Sequence, residues 1–144
     1  MTIPVVVARD EQDLEPVDLD RWTALATAVL ADEGVAGEMN LLFVGEAAMA
    51  ELNEAHMGHE GPTDVLSFPI DGAAAGPDGF VGDVVVCPAV ARRNAPDHAG
   101  TYNDEVALLV VHGVLHLLGH DHAEDDEAAV MRAREVAHLE RFAP

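Results

Sequence analysis

The chain has no lysine. All seven of its basic residues are arginine, set against 27 Asp and Glu, and the formal net charge is −20. It therefore lacks the basic footprint of a protein that grips nucleic acid by surface charge alone. Cysteine is nearly absent as well. The single Cys87 excludes an intramolecular disulfide and fits a reducing compartment. Its place at the end of an apolar run marks a small buried side chain, not a nucleophile. No apolar run approaches the roughly 20 residues of a membrane span. The opening MTIPVVVARDEQ has no basic start followed by a long apolar segment, as a signal peptide would. These absences set the expectation of a cytoplasmic protein with no membrane partner. There is no repeat and no linker, so residues 1–144 are expected to form a single domain large enough to bury a core.

Histidine, by contrast, is concentrated. Four of the eight histidines fall in Val111–His122, VHGVLHLLGHDH. His112 and His116 are four apart and share one face of a helix. Gly119 can take the left-handed conformation that ends a helix and reverses the chain. On an uninterrupted helix, His112 and His120 would stand about 12 Å apart, too far for bonds of about 2.1 Å to one ion. The third ligand must follow the reversal, which makes it His122 and leaves His120 a neighbour. Three imidazoles with one position open to water is how a catalytic zinc is held, so one Zn2+ per chain is expected on His112, His116 and His122. The spacing nearly matches the zinc-protease signature, but Gly113 stands where the general-base glutamate would be. Another metal hydrolase, including an atypical peptidase, fits the residues as well as a nuclease does.

The apolar periodicity predicts the order β-α-β-α-β-β-α-α-α, with strands at Ile3–Ala8, Glu38–Val44, Asp64–Ile70 and Phe80–Cys87. Helices are expected after Asp18 as N-cap, over Glu46–Ala55, from Pro88, from Thr101 as N-cap through Leu118, and from Glu124–Glu127 to the end. His56-Met57-Gly58 opens a loop. The fold class is α+β: a small mixed sheet packed with helices, the histidine helix central because it is apolar on every side. Trp22 and Met131 are expected in the core, and Val136, Leu139 and Phe142 on the apolar face of the last helix. His56, His59, His98 and His138 are expected at the surface, and Asp83 in a structural role. Asp64 is read equally as a site residue at a strand end and as a turn residue bonding its own backbone.

The motif H112-G-V-L-H116-L-L-G119-H-D121-H122 resembles the signature of the YbeY-type endoribonucleases. Pro62–Pro69 (PTDVLSFP) and Gly82–Pro88 (GDVVVCP) resemble the same family, in the same order. The resemblance implies a single-strand-preferring, metal-dependent endoribonuclease of ribosomal RNA maturation, acting at the small-subunit rRNA 3′ end, and of ribosome quality control. Its implied partners are single-stranded or ribosomal RNA and ribosomal particles or a ribosomal protein. A non-catalytic, metal-stabilised ribosome-binding protein is the other alternative. The chain departs from the family at His120, where many members carry tyrosine, and at Met57, where they carry an arginine. For the general base, Asp64, Asp121 and a substrate 2′-hydroxyl stand as alternatives, and Asp121 could instead orient an imidazole.

Overall fold

The computed structural model describes residues 4–120 and 124–142. Its elements follow the predicted order. They are β1 (Val5–Asp10), α1 (Leu19–Asp32), β2 (Glu38–Phe43), α2 (Glu46–Met57), β3 (Val65–Pro69), β4 (Phe80–Val86), α3 (Pro88–Asn94), α4 (Tyr102–Leu117) and α5 (Asp125–Phe142). The strands form one mixed sheet in the order β1-β2-β4-β3. β1, β2 and β4 run parallel, and β3 returns antiparallel to β4 with Val65 opposite Val86. This is the expected α+β architecture. The second helix runs two residues past its expected end, taking in His56 and Met57, and closes on Gly58 at φ 70°.

Alternation along the strands divides the core. Met39, Leu41, Phe43, Val84 and Val86 point to one face, where they meet Trp22, Leu25 and Val29 of α1 and Val110, Val111 and Val114 of α4. Leu42 and Val85 point to the other, against Met49 of α2 and Val90 of α3. Cys87 is fully buried on that second face, and burial pushes its thiol pKa up. Asp83 accepts a hydrogen bond from Asn40 Nδ2 at 2.9 Å and so ties β4 to β2.

The caps fall where the sequence places them. Asp18 Oδ1 accepts from the Arg21 N–H, and Thr101 Oγ1 from the Asp104 N–H. α4 begins with a buried carboxyl group that the apolar pattern does not announce: Glu105 is 1 % exposed. It is held by His98 Nδ1 at 2.9 Å and the Ala99 N–H at 3.1 Å. A carboxylate in the first turn also suits the positive end of the helix dipole. α4 packs on α1, α3, α5, β3 and β4, which makes it the central helix.

α5 is rotated from its expected orientation. Its inward stripe is Met131, Glu135, His138 and Leu139, while Val136 is 48 % exposed. Glu135 and His138 both find polar partners inside, and satisfying those groups outweighs burying one valine. The side chain of Phe142, also expected on this face, lies outside the described residues.

Candidate active site

α4 carries His112 and His116 to one edge of the sheet. Their ring centroids are 4.8 Å apart, with the planes at 68°. Both are half-buried on a helix whose other faces are packed. The helix stops immediately after them. The His120 N–H donates to Leu115 O, the Gly119 N–H to His116 O, and Gly119 has φ 97°. This is the glycine-dependent termination that reverses the chain. His122 and Asp121 lie outside the described residues. His120 Nε2 is 3.8 Å from Glu33 Oε1, on the side of α1.

Gly113 shows why no glutamate can stand beside the first histidine. A Cβ there would come within 2.6 Å of Val84 Cγ1 and 3.3 Å of Val65 Cγ2. The position faces the sheet, and Ser67 Oγ donates to Gly113 O at 2.9 Å, clamping β3 against α4. Position 113 therefore supplies no proton acceptor.

The histidines sit at the junction of a two-limbed cleft. One limb, about 470 Å³, is lined by Asn53, Met57, His59, Thr63, Asp64 and His116 among others. The second, about 390 Å³, is lined by residues including His98, Leu108, Arg132, Glu135 and Leu139. His112, Asp64 and Val65 border both. Asp64 bonds its own neighbouring backbone, as a turn residue would: its Oδ1 accepts from the Val65 N–H at 2.8 Å, and the residue also lines both limbs. Its carbonyl also accepts from the Cys87 N–H at 2.8 Å.

Two residues of the site escaped the sequence reading. Asn53 is 7 % exposed, and its Nδ2 donates to Gly61 O at 2.9 Å, pinning the loop that delivers Thr63 and Asp64. Its one signal was an amide on the helix before a glycine-rich loop. Glu135 Oε1 lies 3.1 Å from His112 Nδ1. Nothing local to residue 135 announces that contact.

A second polar cluster joins α1 to α5. His138, expected at the surface, is 2 % exposed. Its Nε2 is 2.6 Å from Glu33 Oε2, and its Nδ1 is 3.6 Å from Asp32 Oδ2. The bond between Nε2 and Glu33 compensates part of the cost of burying this imidazole. Ligand atoms of Asp32, Glu33 and His138 all lie within 4.8 Å of one another, a set that could hold a metal ion. The guanidiniums of Arg134, at 2.8 Å from Glu33, and Arg141, at 3.3 Å from Asp32, already supply positive charge there. Burial pushes the Glu33 pKa up, but the hydrogen bonds from His138 and Arg134 outweigh it and hold the carboxyl below its ordinary value.

Known proteins share sequence and fold with this chain. The family described as Endoribonuclease YbeY matches residues 7–143. A relative of that name from Frankia alni is 44% identical over 137 residues, spanning 88% of this chain and 76% of its own. Another, from Salinispora tropica, is 45% identical over 130 residues, spanning 81% of this chain and 83% of its own. A solution structure from Thermotoga maritima is 26% identical and superposes with a TM-score of 0.67, over 95% of this chain and 88% of that one.

Proposed function

This chain belongs to the YbeY endoribonuclease family, and from that premise we propose that it cuts single-stranded ribosomal RNA internally, at a metal held by His112, His116 and His122. The observation that carries the reading is the pair of imidazoles, 4.8 Å apart, opening onto a cleft that runs to either side of them. A structural metal site is closed by protein ligands, whereas a catalytic one keeps a position facing substrate.

The donor set fits a zinc-type ion. Two imidazoles share one face of α4, Gly119 ends that helix at φ 97° three residues before His122 in sequence, and Glu135 engages His112 Nδ1, so that Nε2 would be the ligand atom. When bound, such an ion supplies Lewis-acid chemistry, acidifying water and polarising a phosphoryl oxygen. The rest falls to the chain. Glu135 fixes the His112 tautomer. Packing around α4 holds both rings in place. Asp64, its Oδ1 held by the Val65 N–H, is oriented at the junction of the limbs to take the proton of a nucleophile. That nucleophile is water or a substrate 2′-hydroxyl. The setting we propose is small-subunit rRNA 3′-end maturation and ribosome quality control in the cytoplasm. A ribosomal particle or protein would position the enzyme there.

The test is cleavage of a single-stranded rRNA 3′-end precursor with and without chelator, beside an unstructured peptide. Internal RNA cuts that chelator abolishes, with the peptide intact, are expected. Peptide cleavage without RNA cleavage would make the protein an atypical peptidase. Neither activity, together with firm binding to ribosomal particles, would make it a non-catalytic ribosome-binding protein.

A further inference from the structure

Five of the seven arginines of this lysine-free chain are engaged with other side chains. Arg92 pairs with Glu15, Arg93 with Glu46, Arg134 with Glu33 and Arg141 with Asp32. Arg21 lies over the Trp22 ring at 4.8 Å. Among the described residues, Arg9, Arg21 and Arg132 form no ion pair, and Arg21 is held against Trp22. Arg9 lies on β1, at the edge of the sheet opposite the histidines. Arg132 lines the second limb of the cleft with His112 and Asp64. The carboxylate nearest to it in sequence on that lining, Glu135, is given to His112.

We propose that Arg132 seats a backbone phosphate of the RNA substrate, in the limb on the far side of His112 from Met57. The assignment rests on the endoribonuclease reading. An exposed guanidinium without a carboxylate partner is free to bind phosphate oxygens bidentately. It stands on a helix fixed by buried Met131 and His138, so its backbone is already placed before substrate arrives. Leu108, Leu109, Val136 and Leu139 line the same limb and give the adjoining nucleoside an apolar surface. The Met57 limb carries no arginine or lysine in its lining. A strand laid across the histidines is therefore gripped on one side only.

The experiment measures binding of a short single-stranded RNA across a salt titration, with steady-state cleavage, for the unsubstituted chain, Arg132→Gln, Arg132→Lys and Arg9→Gln. Metal content and thermal midpoint are read for each. Arg132→Gln is expected to weaken binding about tenfold. It should raise KM more than it lowers kcat, and reduce the slope of log affinity against log salt by about 0.7, the share of one single-strand phosphate contact. Arg132→Lys should keep the slope, and Arg9→Gln should match the unsubstituted chain. Unchanged affinity and slope in Arg132→Gln overturns the proposal. So does an equal loss in Arg9→Gln, which would make the effect one of net charge. An unsubstituted chain that neither binds nor cuts the RNA overturns the endoribonuclease reading, and this assignment with it.

Discussion

Glu135 acts on the site through His112. A carboxylate on the outer ring nitrogen orients a metal-binding imidazole and raises its basicity. Glu135→Gln should weaken metal affinity by about 10–100-fold with the fold intact, read by competition with a chromophoric chelator; unchanged affinity would make the 3.1 Å contact incidental. Gly113 makes a steric claim. Gly113→Ala forces a Cβ against Val84 Cγ1 and should cost about 1–3 kcal/mol, measured by urea unfolding. Met57 is 53 % exposed in the limb whose described lining has no arginine or lysine. Met57→Arg should strengthen binding of single-stranded RNA, and no change in a folded, metal-loaded variant would mean this limb does not touch substrate. What sequence could show at this scale depends on distance along the chain. His112, His116 and Gly119 were legible because helix periodicity and a glycine turn are local. The partners of His112 and His138 lie 23 and 105 residues away, and only packing brings them together.

α5 shows how an element can be found and still misplaced. Its extent followed from its acidic start and apolar spacing, but its rotation did not, because two polar residues compete with one valine for the inward face. The same contacts make its docking sensitive to pH. The folded Glu33 carboxyl lies below its ordinary value of 4.5 despite burial, because His138 and Arg134 bond its charged form. Its contribution is complete above the unfolded carboxylate range and is lost as pH falls through the depressed folded value. The urea midpoint should therefore drop between about pH 5 and pH 3, and drop less in Glu33→Gln than in the unsubstituted chain. Equal drops in both would remove Glu33 from the acid response. The element order and the mixed sheet were legible because strand and helix periods differ so plainly. The continuation of α2 through His56 and Met57 was not, because two polar or flexible residues before a glycine read as a loop.

Taken whole, the molecule carries −20, a charge that opposes a polyanionic substrate. Four of its guanidiniums are already bound to its own carboxylates, so few cations remain to release counterions from RNA. Affinity for free RNA should be weak, with a shallow salt dependence or an improvement at moderate salt as repulsion is screened. Tight binding that collapses steeply with salt would reveal a basic groove absent from the described residues. Firm binding to ribosomal particles alongside weak binding to free RNA would fit an enzyme positioned by a protein partner. All of this depends on one ion at the histidines, which elemental analysis of the purified chain and its single-alanine variants tests most directly. The account predicts about one zinc-type ion per chain, retained in His120→Ala, lost in His112→Ala and His116→Ala, and largely lost in His122→Ala. Metal that survives the loss of His112 and His116 but disappears with His138→Ala would contradict it, by placing the ion between α1 and α5 instead.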